Sequence, residues 1–466
     1  MSRWLDAAVD YILQWLDFQM RLTERPGCAI AIAHRGRIVL EQAFGFADAV
    51  KGVALTPRHR FRVASHSKSF TAAGIMRLRE RNKLRLDDQV GEYVQGLHPA
   101  VAQATIAQLL SHSAGIIRDG HDTSQWVQRR PFADAGKLRA DLADGLVIEP
   151  NTRLKYSNHG YGLLGFVIEA VAGEPYAAFI TREIIEPLEL RETAPDAGFA
   201  NVAPMALGHG TKLPLGRRVV VPAHTPTNAL TAATGFVSTA ADLARFFGQL
   251  APNARGSLLT AVSRREMIRR QWRDPHSSLE RWYGLGIISG AVGDWQWFGH
   301  AGGFPGFITR TTVLPDHDLT ISVLTNSIDG LAHEWGDGAV HILRRFVRDG
   351  APARRVRGWT GRWWNLWRVL DLVPAGNKVL AANPALLNPF ADASEIELTG
   401  HDRGRIALAG GFANHGEPVS LHRDRHGKVT EVMFAGAAMA SEANAARELA
   451  RRYERRDGKN TVRRSR

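Results

Sequence analysis

Near the start of the chain, the apolar residues follow a helical period in some segments and form short β-like runs in others. The first 22 residues repeat apolar side chains at helical spacing, which predicts an amphipathic helix with one apolar face formed by Trp4, Ala8, Tyr11, Ile12 and Trp15. Residues 28–34 and 37–44 are apolar runs on either side of Arg35-Gly36, and they predict a β-hairpin. Residues 65–81 return to a helical period, and their last turn is rich in arginine, which suits a helix C-terminus.

The same patterns continue through the rest of the chain. Further helices are predicted at 105–112, 160–173, 176–186 and 239–250. A second hairpin is predicted from 308–314 and 319–325, because Pro315-Asp316-His317-Asp318 separates two apolar runs. After Asp349-Gly350-Ala351-Pro352, short β-like runs alternate with turns, at 367–373, 378–382, 394–399, 404–409, 418–423 and 428–435. These runs predict a small antiparallel barrel or sandwich.

A chain of 466 residues is too long for one compact core. We therefore expect a large first domain over 1–348, a small β domain over 353–446 and a basic tail over 447–466. The tryptophans at 359, 363, 364 and 367 fit either a helix face or a strand pair, so their element stays open.

Composition narrows the class of protein. The 44% hydrophobic and 23% charged content is that of a globular domain. The single cysteine, Cys28, excludes an intrachain disulfide and a thiolate zinc cage. The formal net charge is +13, but residues 447–466 hold nine basic against three acidic residues, and no basic stripe interleaves with aromatics elsewhere. Nucleic-acid binding is therefore not expected.

The N-terminal segment also bears on location. Asp6, Asp10 and Asp17 interrupt its apolar residues, so it does not have the pattern of a signal peptide. No stretch of about 18 apolar residues occurs, so neither a membrane span nor a membrane partner is expected. A cytoplasmic location follows as an expectation.

Three short motifs carry candidate chemistry. Ser65-His66-Ser67-Lys68 places a hydroxyl and an amine one helical turn apart, at the positive end of the predicted helix. A partly desolvated lysine loses its proton more easily and can help to deprotonate a serine. Taken alone, the pattern is weak, and it more often marks a capping serine and a surface lysine.

The second and third motifs are Tyr156-Ser157-Asn158 and His300-Ala301-Gly302. A tyrosine beside a lysine can act as a general base, and an asparagine amide can hold the lysine or a substrate carbonyl. Glycines allow close backbone approach, and the N–H of Gly303 could complete an oxyanion hole with that of Ser65. An isolated tyrosine or histidine would more often be structural. There is no G-x-S-x-G elbow, phosphate-binding loop or metal-ligand spacing of histidines.

The order and separation of these motifs resemble the serine β-lactamase and penicillin-binding-protein superfamily. The branch most similar contains class C β-lactamases, D-aminopeptidases and esterases. Four further segments look like family landmarks: FRVASHSKSFTA, LRLDDQVGEYV, LLSHSAGI and TGFVSTAADLARF. The resemblance covers about residues 20–345, and the residues from 351 resemble, more loosely, the extra β domains of D-aminopeptidases.

The resemblance implies a fold and a set of roles. The expected fold is an α/β (α+β) sandwich, an antiparallel sheet flanked by helices with a helical subdomain, followed by the small β domain. Ser65 would be the acylated nucleophile, Lys68 and Tyr156 would share the proton transfers, and which of them is the base stays open. Asn158 would position Lys68 or the substrate, and the backbone N–H groups of Ser65 and Gly303 would form the oxyanion hole.

Two positions depart from the family pattern. His300 stands where β-lactamases and transpeptidases carry the lysine of K-T-G, and histidine is a weaker cation near pH 7. H-x-G, with Gly302, resembles the esterase and D-aminopeptidase version, so efficient β-lactam hydrolysis is not expected. Asn151 stands where the family usually has glycine; the predicted type II turn at 149–152 needs a positive φ there, which asparagine tolerates.

The expected function is therefore a serine hydrolase that cleaves an ester or amide of a small molecule or short peptide, without metal or organic cofactor. A β-lactamase or penicillin-binding-type peptidase and a non-catalytic binding protein on the same fold are the alternatives. A homodimer is compatible with the sequence. In the loop predicted near the site, residues 117–137, four side chains could meet an aromatic or anionic group or simply be solvated: Arg118, Trp126, Arg129 and Arg130.

Overall fold

The computed structural model of the chain describes residues 2–197, 203–213, 215–274, 278, 280–410 and 414–453. Its α-helices are α1 (Arg3–Thr23), α2 (Ser67–Glu80), α3 (Pro99–Ala102), α4 (Ile106–Leu110), α5 (Ala135–Asp141), α6 (Asn158–Ala172), α7 (Tyr176–Ile180), α8 (Ala240–Gln249), α9 (Ala261–Ile268), α10 (Ala332–Asp349) and α11 (Glu442–Tyr453).

Its first thirteen strands are β1 (Gly27–His34), β2 (Arg37–Asp48), β3 (Val53–Ala54), β4 (Phe61–Arg62), β5 (Gly208–His209), β6 (Val220–Val221), β7 (Val237–Ser238), β8 (Trp272–Arg273), β9 (Arg281–Tyr283), β10 (Ile288–Val292), β11 (Trp295–Phe304), β12 (Phe307–Leu314) and β13 (Leu319–Thr325). The remaining strands are β14 (Gly361–Trp364), β15 (Val369–Ala375), β16 (Lys378–Ala382), β17 (Ser394–Leu398), β18 (Arg403–Leu408), β19 (Pro418–Arg423), β20 (Val429–Phe434) and β21 (Ala437–Ala440).

Contacts divide the chain into two compact units, one of residues 24–336 and one that joins the residues up to Thr23 with those from Asp337 onward. This grouping differs from the predicted boundaries at 348 and 353. Helix α1 belongs to the second unit because its buried aromatic face packs there, with Tyr11 5.4 Å from Phe390 and Phe18 5.8 Å from Trp364 between ring centroids.

The unit of residues 24–336 is built on a nine-stranded sheet in the order β3-β2-β1-β13-β12-β11-β10-β9-β8. The neighbouring strands pair antiparallel, and both predicted hairpins are part of it. Strand β1 is buried along almost its whole length, so its sequence shows a continuous apolar run rather than alternation. Helix α8 packs against β1 and β13, because its apolar stripe, which includes Leu243 and Phe247, is buried.

Helices and turns next to this sheet carry the candidate site. Helix α2 is buried on nearly every side and packs against α6 and against a π-helical turn at Thr231–Gly235. The short turn Ala64–His66, which leads into α2, lies against strand β11. Strand β11 and these helices therefore meet where the sequence motifs lie.

The second unit contains a closed barrel of the eight strands β14 to β21. Its interior is apolar and includes Trp359, Trp363, Ile396 and Val432. The prediction of a small antiparallel β domain is confirmed. The tryptophan cluster is part of a strand and its flanking loops rather than a helix, since Trp363 and Trp364 belong to β14 and Trp367 lies in the following turn, 90% exposed.

Most predicted elements agree with the structure within one or two residues at each end. Strand β2 is an exception, because it ends at Asp48 rather than at residue 44. Two further predictions need correction. The helix predicted at 176–186 changes to a π-helical turn at Thr181–Ile185. Part of the predicted basic tail is the helix α11, in which Ala445 is buried; residues 454–466 lie outside the described residues.

The turn at 149–152 has the predicted backbone, because Asn151 adopts a φ of 58°. Within the described ranges, no single helix has the length and apolar character to cross a membrane. Helix α6 and the segment Tyr176–Ile185 meet that test only together, as a pair bent by 80°.

Candidate active site

Ser65 lies in the middle of the short turn Ala64–His66 that precedes α2. Ala64 adopts a φ of 46°, which is uncommon for a residue with a side chain and costs about 1–3 kcal/mol. The buried neighbours Ala64 and His66 fix this turn, whereas Ser65 itself is partly exposed. The local fold therefore presents one hydroxyl to the outside from an otherwise buried segment.

The side chain of Lys68 lies one turn further along, fully buried. Its Nζ is 3.3 Å from the Oγ of Ser65, and it also donates to Oδ1 of Asn158 at 2.7 Å and to the carbonyl of Ala233 at 2.8 Å. Burial lowers the pKa of Lys68 well below its usual value, and Arg118 lowers it further, against the opposing effect of Asp119. The neutral form of this amine, which can accept a proton, is therefore favoured compared with that of an exposed lysine.

Tyr156 approaches Ser65 from the segment that leads into α6. Its hydroxyl donates a hydrogen bond of 2.8 Å to the Oγ of Ser65. Burial raises the pKa of Tyr156 above its usual value, although the hydrogen bond to Ser65 and the charge of Arg118 act in the opposite direction. The phenol therefore keeps its proton, and the serine oxygen lies between a protonated phenol and an amine with a lowered pKa.

Two other rings pack against the ring of Tyr156. The ring of His112 packs on it in a tilted arrangement at 4.1 Å, and Tyr283 meets it edge-on at 6.2 Å, both between ring centroids. Nδ1 of His112 accepts the N–H of Ser157 at 3.1 Å, and burial lowers the pKa of His112 well below its usual value. His112 is therefore a neutral packing group that fixes the ring of Tyr156.

A chain of polar contacts connects Lys68 to the loop at residue 118. Asn158 accepts from Lys68 with Oδ1, and its Nδ2 donates to Oδ1 of Asp119 at 2.6 Å. The other carboxylate oxygen of Asp119 accepts from Nε of Arg118 at 3.0 Å. Asp119 thereby fixes which end of the Asn158 amide faces the lysine.

Strand β11 forms the opposite side of the site. A Cβ atom on Gly302 would lie 2.2 Å from the carbonyl oxygen of Val63, so only glycine allows the strand to run this close to the turn that holds Ser65. The next residue, Gly303, is exposed. Participation of its N–H in an oxyanion hole stays a prediction.

His300, two residues before Gly302, is buried. Its Nε2 is 3.0 Å from the hydroxyl of Tyr283, and its Nδ1 accepts the N–H of Ala301 at 2.9 Å. Burial, together with the neighbouring His66, lowers the pKa of His300 well below its usual value. It therefore carries no charge at neutral pH.

The structure thus brings all three predicted motifs to one place. The sequence did not single out Asp119, His112 or Tyr283. Their signal was weak, because a buried role for a loop carboxylate or an isolated aromatic depends on partners far along the chain. Of the loop residues, Trp126 packs on Phe132 and Phe304, and Arg130 contacts Gln125 and Asp122.

A cavity lies elsewhere in the same unit. It has a volume of about 750 Å³ and is lined by residues of β13, α8 and the loop that follows α8, and none of the predicted site residues lines it. The described part of the chain holds no cluster of three or more His, Cys, Asp or Glu able to bind a metal ion. The candidate site is therefore defined by the contacts of Ser65 rather than by cavity size.

Sequence similarity to a protein family spans the unit of residues 24–336, which holds the candidate site. The family model described as Beta-lactamase matches residues 15–336. The chain is 30% identical over 174 residues to "Protein flp" of Staphylococcus aureus (strain COL), a match that covers 36% of this chain and 34% of that protein. It is 26% identical over 340 residues to "Penicillin-binding protein 4*" of Bacillus subtilis (strain 168), covering 67% of this chain and 71% of the relative. The chain thus spans about a third of the length of the Staphylococcus relative.

Solved structures share the fold. The octameric penicillin-binding protein homologue from Pyrococcus abyssi has a TM-score of 0.65 at 23% identity, and covers 92% of this chain and 99% of its own. The D-amino acid amidase from Ochrobactrum anthropi SV3, complexed with L-phenylalanine amide, has a TM-score of 0.62 at 24% identity, covering 73% and 97%. Since the family model matches well over half of the sequence, the chain belongs to the Beta-lactamase family.

Proposed function

We propose that the protein is a serine hydrolase that cleaves an ester or amide bond through an acyl-enzyme on Ser65. One observation carries the proposal: the Oγ of Ser65 is within hydrogen-bond distance of both Lys68, at 3.3 Å, and Tyr156, at 2.8 Å. A nucleophile beside a base that is itself held by a third group is the arrangement that activates a hydroxyl. The substrate class is a small molecule or a short peptide.

The pKa directions support one division of the proton transfers between Lys68 and Tyr156. Lys68, with its pKa lowered, takes the proton of Ser65 as Oγ attacks the carbonyl carbon. Tyr156, with its pKa raised, holds a proton that it gives to the departing oxygen or nitrogen, and Lys68 then returns a proton to Tyr156. The products are the acyl-enzyme and the free leaving group. Water then attacks the ester, and the proton that it releases restores Ser65.

Asn158 supports this scheme as a positioning residue. Its Oδ1 holds the amine of Lys68, while Asp119 holds its Nδ2. Gly302 and Gly303 would let the substrate carbonyl lie against β11, where the N–H groups of Ser65 and Gly303 can stabilise the oxyanion. No residue in this scheme requires a metal or an organic cofactor.

The test compares the hydrolysis of a short p-nitrophenyl ester, D-alanine p-nitroanilide and a chromogenic cephalosporin by one preparation. Ser65→Ala should lose at least ~10⁴-fold of every activity, as expected for removal of a nucleophile. Ser257→Ala, a serine that caps a loop by bonding to the carbonyl of Gln249, is the matched control and should keep its rates. Full activity in Ser65→Ala would refute the assignment.

The ranking of the three substrates separates the subclasses. We expect the ester or the D-alanine anilide to exceed the cephalosporin, because His300 is neutral. The reverse order would favour a β-lactamase or penicillin-binding-type peptidase. Failure of Ser65 to react with any acylating reagent would favour a binding protein on the same fold.

A further inference from the structure

An arginine lies at the mouth of the candidate site. The backbone carbonyl of Arg118 accepts the N–H of Asn158 at 2.9 Å, which fixes residue 118 beside the start of α6. Its guanidinium carbon is 5.2 Å from the ring centroid of Tyr156, and 63% of its side chain is exposed. The same Tyr156 ring carries the hydroxyl that contacts Ser65, so this cation borders the reacting atoms.

Arg118 is only partly paired. Its Nε donates to Asp119 at 3.0 Å, and Asp119 uses its other oxygen for Asn158. Among the described residues, no protein group is recorded within hydrogen-bond distance of the two terminal nitrogens of Arg118. Asp119 itself is buried, with 6% of its side chain exposed. Asp119 therefore holds the guanidinium through Nε, and the two terminal nitrogens stay available to a ligand.

A second cation belongs to the segment that carries Tyr156. Lys155 directly precedes Tyr156, and its backbone N–H donates to the carbonyl of His112 at 2.7 Å. Its side chain is half-buried and has no recorded hydrogen-bond or ion-pair partner in the described ranges. Burial and then the charge of Arg118 lower the pKa of Lys155, against the effect of Asp119. Because Lys155 directly precedes Tyr156 and the guanidinium of Arg118 lies over the ring of Tyr156, both cations border the same tyrosine.

Asp119 is a negative charge at this position, and the other described groups named at the site add none. His112 and His300 are buried and neutral, and the amine of Lys68 is occupied by Asn158 and Ala233. The electrostatic balance at this mouth therefore favours an incoming anion.

We propose that Arg118 and Lys155 bind an anionic group of the substrate, a carboxylate in chemical class, beside the bond that Ser65 attacks. This inference rests on the proposed function and deepens it, because it selects acidic esters or amides over neutral ones. Arg118 supplies two parallel N–H donors, which match a carboxylate, and Lys155 supplies a point charge. Asp119 keeps the guanidinium against Tyr156.

The kinetic test uses matched ester pairs that differ in one charge. 3-Acetoxybenzoate and 3-acetoxybenzamide place the charge on the leaving group, whereas mono-p-nitrophenyl glutarate and p-nitrophenyl butyrate place it on the acyl group. For at least one pair, the wild-type protein should prefer the anionic member by about tenfold in kcat/KM, mainly through KM, and the preference should fall with added salt. The ester pair that shows the preference indicates whether the anionic group lies on the acyl side or on the leaving-group side of the bond that Ser65 attacks.

Variants then assign the preference to residues. Arg118→Gln and Lys155→Gln should each reduce the ratio of anionic to neutral kcat/KM several-fold, and Arg118→Lys should restore part of it. Arg129→Gln is the matched control, because Arg129 is an exposed cation on the same loop, and it should keep the wild-type ratio. Ratios that stay unchanged in both Arg118→Gln and Lys155→Gln would overturn the inference.

Binding separates this inference from the proposed function. Calorimetry on the full-length Ser65→Ala protein should show tighter binding of 3-acetoxybenzoate than of 3-acetoxybenzamide, or of glutarate monoamide than of butyramide, and Arg118→Gln should remove the difference. Equal affinity within both pairs would overturn the inference even if Ser65 is the nucleophile. A charge preference that depends on Arg118 would uphold it even if Ser65→Ala kept its activity and the proposed function failed.

Discussion

Two buried cations only six positions apart are treated in opposite ways by the fold. The surroundings of Arg62, at the end of β4, neutralise its charge: the guanidinium donates to Asp196 at 2.7 Å and to the carbonyls of Ala223 and Gly235. The surroundings of Lys68, in α2, provide Asn158 and a backbone carbonyl, and no carboxylate of the described residues contacts its amine. Both side chains have almost no exposed surface.

The difference shows what each position is for. A buried arginine with a buried carboxylate is an ion pair that ties strand β4 to the segments at 196 and 223–235. A buried lysine without such a partner carries a desolvation cost that lowers its pKa, and that cost is useful only where a neutral amine is needed. In the barrel of the second unit, apolar side chains such as Ile396 and Val432 fill the interior.

The largest expected effect on stability is at Arg62. Arg62→Met should lower the free energy of unfolding by about 3–5 kcal/mol, because it leaves Asp196 buried without its cation. Urea denaturation followed by circular dichroism measures the loss. The double variant with Asp196→Asn should recover part of it, since the uncompensated charge is then removed. A loss below about 1 kcal/mol in Arg62→Met would show that this pair is not structural.

At Lys68 we expect the opposite pattern, a loss of activity without a comparable loss of stability. Lys68→Met and Tyr156→Phe should each reduce kcat by at least ~10²-fold on the best of the three chromogenic substrates, in line with acid–base contributions. Tyr93→Phe, which removes a hydroxyl bonded to Asp88 away from the site, is the control for Tyr156→Phe. If neither Lys68→Met nor Tyr156→Phe loses activity, the proton scheme is wrong.

The pH dependence of stability sharpens the contrast further. Above pH 10.5, the ordinary value for lysine, Lys68 is neutral in both the folded and the unfolded state. As the pH falls from there, the unfolded chain takes up the proton first, because the pKa of the folded state is lowered. The free energy of unfolding of the wild-type protein should therefore fall by about 1.4 kcal/mol per pH unit relative to that of Lys68→Met. This fall should continue until the pH reaches the pKa of Lys68 in the folded state.

Thermal or urea unfolding of both proteins between pH 9.5 and pH 7.5 measures this widening gap. Lys83→Met, at an exposed lysine, is the control and should run parallel to the wild type. A constant difference between wild type and Lys68→Met over this range would contradict the lowered pKa.

The smallest expected effect is at His300. Replacing this neutral side chain by a cation, in His300→Lys, should raise kcat/KM for a chromogenic cephalosporin several-fold. The reason is that the carboxylate of the cephalosporin would then lie near a positive charge. The ratio of cephalosporin to neutral-ester hydrolysis is the measurement. If that ratio does not rise, the difference between histidine and lysine does not explain the expected weakness towards β-lactams.

Local patterns were enough to predict much of the scaffold. The period of 3.6 residues located α2, α6 and α8, and the runs around Arg35-Gly36 and Pro315–Asp318 located two hairpins. Local patterns failed where the partner strand decides the structure. The short strands β14 and β21, for example, pair with each other at Trp364 and Ala440 to close the barrel, and nothing within either segment indicates that pairing.

The sequence by itself determined the chemical inventory of this protein: a serine and a lysine one turn apart on a helix, a Tyr-x-Asn motif, and a glycine-rich strand after His300. Only the tertiary structure decided how these groups behave. Burial, not residue type, raises the pKa of Tyr156 and lowers that of Lys68, and it follows from packing between segments about 90 residues apart. Likewise, Arg118 faces the site because its loop bonds to the start of α6, a contact that no local pattern encodes.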